Sequence, residues 1–262
     1  MIIIFKIGDL VSRISHNNDV LFRIVSINNE VARLSGVNVR LEADSSLDDL
    51  VISSNNENDR EIIERNAKEF NFDRANYFYL PGKILHIDGD ENYLNRSMKF
   101  YESIGIKANG LCLNEKEISL KINDLIKEYR PDIIVITGHD AYYKKKGDKD
   151  NINNYQNSGN FVKAIKEARR LERNQDKLII IAGACQSDYE ELIRAGANFA
   201  SSPRRINIHA LDPAIIASSI AFSDKNQSID IIKLIEKTKY GSDGIGGIIT
   251  NGTMYVGYPR WI

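Results

Sequence analysis

Two side chains stand where this chain could do chemistry. Cys185 closes the run Leu178-Ile-Ile-Ile-Ala-Gly-Ala-Cys185, and His139 closes the run Asp132-Ile-Ile-Val-Ile-Thr-Gly-His139. A thiol beside an imidazole performs nucleophilic acyl chemistry: the imidazole takes the thiol proton and the thiolate attacks a carbonyl. The thiol must ionise near neutral pH, and a helix N-terminus just behind it supplies part of that shift. Gln186-Ser187-Asp188 offers caps for such a helix, and Gly183 and Ala184 leave the approach open. The competing readings are a buried, inert thiol and a satisfied loop histidine. His209 is a rival base, and Cys112, which lacks a comparable partner, reads as core.

The elements that must position this pair follow from the aliphatic runs. Their apolar residues are continuous rather than alternating, which predicts strands buried on both faces, as in a parallel sheet. If the two strands are parallel neighbours, His139 and Cys185 meet at one sheet edge, outside the carboxyl ends where open α/β sheets place their ligands. From Tyr79 the pattern alternates between strand and helix. It predicts strands at 83–88, 108–113, 132–139, 178–185 and 198–202, and helices at 92–104, 115–129, 161–171, 188–194, 211–221 and 229–239. The glycine-rich tail, 241–257, predicts a hairpin or ordered loop.

Upstream, residues 1–50 carry short β-rich runs separated by Gly and Asn turns, and residues 1–6 read as a first strand. "Lys-Ile-Gly-Asp-Leu-Val" is similar to the first strand of SH3-like barrels. Residues 51–78 are polar and read as a linker with some helix at 60–70. The expected organisation is a small β domain over 1–50, this linker, and an α/β domain over 79–262 whose mostly parallel sheet has helices on both faces.

Composition narrows the classes. The 262 residues are 42% hydrophobic, enough for a sizeable core, and the formal charge of −1 gives no reason to expect a nucleic acid partner. Two cysteines make no disulfide framework, which suggests a reduced, cytoplasmic-type protein. No apolar run reaches the roughly 18 residues of a membrane span, and the first residues lack a signal-peptide pattern.

"Thr-Gly-His139-Asp140" followed by "Ala-Gly-Ala-Cys185-Gln-Ser" resembles the histidine and cysteine strand ends of caspase-like (clan CD) cysteine peptidases. More specifically, residues 5–11, 80–90, 129–140, 182–187, 195–203 and 208–213 together resemble the YabG-type sporulation peptidases, over nearly the whole chain. That resemblance implies a caspase-like fold and a peptidase of the mother-cell cytoplasm and spore coat. It also implies that the enzyme processes coat and cortex-associated proteins next to basic residues. His139 and Cys185 then carry over as the dyad, with no cofactor. The backbone N–H groups of Asp140 and Cys185 would hold the oxyanion. The wider clan usually has Gly where this chain has Asp140, so that side chain reads either as a loop cap or as an orienter of His139.

Basic specificity needs a carboxylate for a guanidinium or ammonium group. Asp88 is the first candidate, while Asp90 suits capping of the next helix better. Ser201 and Ser202 lie on a strand that could pair with extended substrate. Lys144-Lys-Lys146 reads as a solvated loop or a self-cleavage site. Two other classes remain. A Mg²⁺-dependent phosphohydrolase would use Asp88 and Asp90, whose Asp-x-Asp spacing fits an aspartate nucleophile. A non-catalytic coat-assembly adaptor would use the β domain for binding.

Overall fold

The computed structural model describes residues 4–54, 61–62, 64–65, 72 and 75–260, which form two compact units, Met1–Ile62 and Ile63–Ile262.

The first unit is a sheet of five antiparallel strands. These are β1 (Leu10–Arg13), β2 (Phe22–Asn28), β3 (Val31–Gly36), β4 (Glu42–Ser46) and β5 (Leu50–Ile52), in the order β4-β3-β2-β1-β5. Alternation sends Phe22, Ile24, Ala32 and Leu34 to one face, where they pack with Val11 and Leu50. Asn29 and Glu30 both have positive φ (45° and 63°), the backbone that a two-residue hairpin needs to match strand twist. The last strand, β5, runs to Ile52, two residues into the stretch that the sequence suggested as linker. The first described strand begins at Leu10. Residues 1–3, and most of the helix expected at 60–70, lie outside the described residues, although Glu61, Ile62, Glu64 and Arg65 are helical.

The second unit is built on a six-stranded sheet. Its strands are β7 (Ile84–Asp88), β8 (Ala108–Cys112), β9 (Ile133–Thr137), β10 (Ile179–Ala182), β11 (Phe199–Ser201) and β12 (Ile245–Gly247), in the order β12-β11-β10-β9-β7-β8. Every pairing is parallel except β11 with β12. Between these strands run α1 (Glu91–Ser103), α2 (Glu115–Tyr129), α3 (Ser158–Leu171) and α4 (Tyr189–Arg194). After β11 come α5 (Asp212–Ala221) and α6 (Ile231–Glu236). Leu85, Ile87, Ile134, Ile136, Ile180 and Ala182 face α2, α3 and α4 in one core. The alternate residues, such as Ile133, Val135 and Ile179, are also fully buried, and α5 packs on β9 and β10. Burial on both faces is why these strands read as unbroken aliphatic runs. Each such side chain stabilises the sheet by roughly 1.5–3 kcal/mol.

Local signals fix the helix ends. Asp90 caps α1 by accepting from the N–H groups of Asn92 and Tyr93, and Asn114 caps α2 through Lys116 N–H. α2 stops at Arg130 in the left-handed conformation, followed by Pro131. The glycine-rich tail divides. Its first part is β12 on the central sheet, while β13 (Tyr255–Gly257) pairs with β6 (Phe78–Leu80) in a separate two-stranded sheet. Among the described residues, no helix is long and apolar enough to cross a membrane.

The chain runs from β7 to β8 on one side and then places β9 on the other side of β7. The carboxyl ends of β7 and β9 flank this reversal, the usual ligand position in such sheets.

Candidate active site

β9 and β10 pair in parallel through Ile136↔Ala182. Three residues further along the chain from each stand His139 and Cys185, at the same end of adjacent strands, which is the arrangement the sequence reading made conditional on parallel pairing. The main chain of His139 is gripped at both ends. Its N–H donates to Glu115 Oε1 at 2.8 Å, and its carbonyl accepts from Asn157 Nδ2 at 2.8 Å. Glu115 sits against Gly89 and Gly138, leaving no room for a side chain at either position. The His139 ring is held at Nε2, 3.1 Å from Asp90 Oδ2, and meets the edge of Tyr93 with centroids 5.9 Å apart. Burial works against ionisation of Asp90. The His139 hydrogen bond and the N–H groups of Tyr93 and Asn92 outweigh it and hold the carboxyl below its ordinary value.

Cys185 lies in a tight turn after β10. Gly183 (φ 101°) and Gln186 (φ 58°) both take left-handed backbone. A side chain at Gly183 would also strike Leu192, so glycine there serves the turn and its packing rather than an open approach. The thiol is fully buried. Ile208 N–H approaches Sγ at 3.4 Å, and Ile208 O lies 3.8 Å from it. Asp188 does cap the following helix, accepting from Glu191 N–H. That helix is only six residues long and starts four residues beyond Cys185, so the expected help from its dipole is removed from the sulfur.

Asp140 joins the two loops. It accepts from Ala141 N–H at 2.9 Å, Asn157 N–H at 2.7 Å, Ser187 Oγ at 2.8 Å and Ser158 Oγ. Ser187 Oγ in turn accepts from Ala184 N–H at 2.9 Å, and Ser158 Oγ accepts from Asp188 N–H at 2.8 Å. Burial pushes the Asp140 carboxyl above its ordinary value, against the four hydrogen bonds that favour its anion. Of the two readings of this residue, the side chain is the loop tie.

The segment that covers Cys185 is pinned on its outer side. Ser202 Oγ accepts from Gln186 N–H at 3.1 Å and donates to Ile206 O at 2.7 Å. Arg205 donates to Tyr155 Oη at 2.6 Å, to Asp188 Oδ1 at 3.2 Å and to Glu190.

The expected substrate contacts are placed differently. Asp88 is fully buried, with Oδ2 3.7 Å from His86 Nε2 and Oδ1 accepting Asp90 N–H at 3.0 Å. His86 Nδ1 pairs with Tyr101 Oη at 2.9 Å. A basic side chain arriving from solvent does not meet Asp88 in this arrangement. Asp88 and Asp90 likewise form no open carboxylate pair, since one is buried and the other holds His139 and caps α1. Ser201 and Ser202 are also fully buried, and β11 is not an edge strand, because β12 occupies its outer side. His209 is buried away from solvent, with Nδ1 accepting Leu211 N–H at 3.2 Å. Cys112 is exposed rather than core.

Two site contacts escaped the sequence reading, that of Asp90 with the His139 ring and that of Glu115 with its main chain. Asp90 was visible in Asp88-Gly-Asp90 at a strand end, but its cap role hid its second oxygen. Glu115 gave no signal beyond being the first residue of a helix.

A family model described as YabG peptidase U57 matches residues 6–259. The sporulation-specific protease YabG of Bacillus subtilis (strain 168) is 43% identical over 284 residues, spanning 97% of this chain and 98% of that one. Among solved structures, a cobalamin-binding protein from Desulfitobacterium hafniense DCB-2 aligns with 53% of this chain and 58% of its own. The sequence identity is 18% and the TM-score 0.35, too distant a likeness to bear on the fold.

Proposed function

The chain belongs to the YabG peptidase family U57, and from that premise we propose that this sporulation protease is a cysteine endopeptidase with Cys185 as nucleophile and His139 as general acid and base. The observation that carries the reading is the parallel β9–β10 ladder, which ends with the imidazole and the thiol on neighbouring loops tied together by Asp140.

His139 takes the Cys185 proton, and the thiolate adds to the scissile carbonyl. Backbone N–H groups of Cys185 and Asp140 receive the oxyanion, a contribution of several kcal/mol in such sites. The imidazolium gives its proton to the leaving amine as the C–N bond breaks, leaving a thioester. His139 then takes a proton from water, whose oxygen attacks the thioester, and the acid departs as the thiol re-forms. Substrate reaches the thiol when the 202–208 segment shifts from Sγ.

The substrates are proteins. Spore coat and cortex-associated proteins, cleavage beside Arg or Lys, self-cleavage at Lys144–Lys146, and action in the mother cell and coat follow from the family resemblance and are part of this proposal. So is reading the sheet order 12-11-10-9-7-8, with its antiparallel outer strand, as caspase-like and the first unit as SH3-like.

The test is a panel of fluorogenic peptides carrying Arg, Lys, Asp, Asn or Leu before the cut, with Cys185→Ala and His139→Ala alongside. Cleavage after Arg or Lys that both substitutions abolish is the expected result. Cleavage that survives Cys185→Ala removes the proposed nucleophile.

A further inference from the structure

We propose that Asp90 is a positioning residue for catalysis: it fixes the His139 ring through Nε2, so that Nδ1 is the nitrogen that exchanges protons with Cys185 and the leaving amine. The inference rests on the dyad reading above and adds to it a third group and a tautomer.

The two oxygens of Asp90 divide their work. Oδ1 accepts from Asn92 N–H at 2.8 Å and Tyr93 N–H at 3.2 Å, which fixes the carboxylate to the first turn of α1. Oδ2 is thereby aimed at His139 Nε2, 3.1 Å away. Asp90 is itself held from below. Its N–H donates to Asp88 Oδ1 at 3.0 Å, Asp88 Oδ2 lies 3.7 Å from His86 Nε2, and His86 Nδ1 meets Tyr101 Oη at 2.9 Å. A buried row of polar groups thus runs from Tyr101 to the surface imidazole. It explains why an acid and a histidine stand inside a strand that is otherwise aliphatic.

The geometry determines the tautomer. A carboxylate acceptor at Nε2 keeps the proton on that nitrogen and the lone pair on Nδ1. It also stabilises the imidazolium formed when Nδ1 takes the thiol proton. With the main chain of His139 already fixed by Glu115 and Asn157, the Asp90 contact and the edge of Tyr93 set the rotation of the ring.

A plain helix cap makes a different prediction. Asp90→Asn and Asp90→Ser both retain capping chemistry, so a residue that only caps tolerates either. In Asp90→Asn the oxygen stays on the α1 N–H groups and the amide NH₂ turns to Nε2, which forces the ring proton onto Nδ1. We expect kcat on the best-cleaved panel peptide to fall about 10²-fold, within the range that acid–base catalysis contributes, with KM nearly unchanged. Asp90→Ser, which cannot reach the ring, is expected to lose kcat as well.

Nitrogen-15 shifts of the His139 ring supply a readout that needs no turnover. Wild type should show protonated Nε2, and Asp90→Asn protonated Nδ1. Wild-type kcat in Asp90→Asn, or an unchanged tautomer, overturns the inference. Full activity in His139→Ala would instead overturn the dyad, whatever Asp90 does.

Discussion

Ser187 donates its hydroxyl hydrogen to Asp140 across 2.8 Å, and this bond helps to tie the loop bearing the thiol to the loop bearing the imidazole. Ser187 belongs to the Cys185 turn, and Asp140 follows His139 directly. Removing the carboxylate strands its four donors in a buried place, and each unsatisfied group costs about 1–3 kcal/mol. Asp140→Ala should therefore destabilise the protein by roughly 3 kcal/mol or more, read by denaturant unfolding, and abolish activity. Asp140→Asn retains an acceptor and should lose less of both.

The thiol is expected to react slowly. Cys185 is fully buried under Ile208, and Arg205 holds the covering segment to Asp188, Glu190 and Tyr155. Iodoacetamide should label exposed Cys112 first, followed by mass spectrometry of the digested protein. Arg205→Ala loosens the cover and should raise the Cys185 labelling rate several-fold. An unchanged rate would show that another contact controls access.

Asp90 gives a pH signature. Its folded pKa is depressed, so its contribution to stability is present above the unfolded value of about 3.9 and is lost as pH falls through the lower folded value. The stability gap between wild type and Asp90→Asn should narrow as pH falls below about 4. Thermal melts at stepped pH measure it, and a gap that widens below about pH 4 would contradict the assignment.

Gly138→Ala is a small change at a crowded place. The new methyl presses on the Glu115 carboxylate that receives His139 N–H. Overpacking of this kind costs about 1–3 kcal/mol. Activity should fall further than stability accounts for, measured as kcat/KM under conditions where the variant remains folded.

Asp88→Asn separates support from specificity. A buried residue that holds Asp90 and His86 should, when changed, lower cleavage of all panel peptides by a similar factor. Selective loss of the Arg and Lys peptides would restore Asp88 as the specificity carboxylate.

Much of the α/β unit was legible because its signals are local. Ile133–Thr137 and Ile179–Ala182 are continuous aliphatic strands only if both faces are covered, and the helices before the first and after the second begin behind Asn114 and Asp188, which cap them. The parallel adjacency of β9 and β10 was the condition on which the meeting of His139 and Cys185 rested, and the Ile136↔Ala182 register meets it. What depended on long-range pairing was not legible. The three-residue strand β12 carries two glycines and almost no local strand signal, yet it covers β11 and so removes the edge on which Ser201 and Ser202 were expected to act. Asp88 is the last residue of β7 and is buried with it, whereas Asp90 lies beyond the strand as the cap of α1 and so stands beside His139. Sequence offers both carboxylates and does not say which side each takes. The cover over Cys185 comes from Ile208, 23 residues downstream, through a contact that no pattern announces.

The β9–β10 ladder also bears on the continuity of the polypeptide. After Asp140 the chain leaves the sheet through exposed Lys144 and Lys145, and it returns at Asn157 and Ser158, both of which bond to Asp140. The covalent path between the imidazole and the thiol therefore duplicates a non-covalent one. A single nick among those lysines would yield two fragments that separate in denaturant yet behave as one split enzyme in native buffer, with the active site drawn from both pieces.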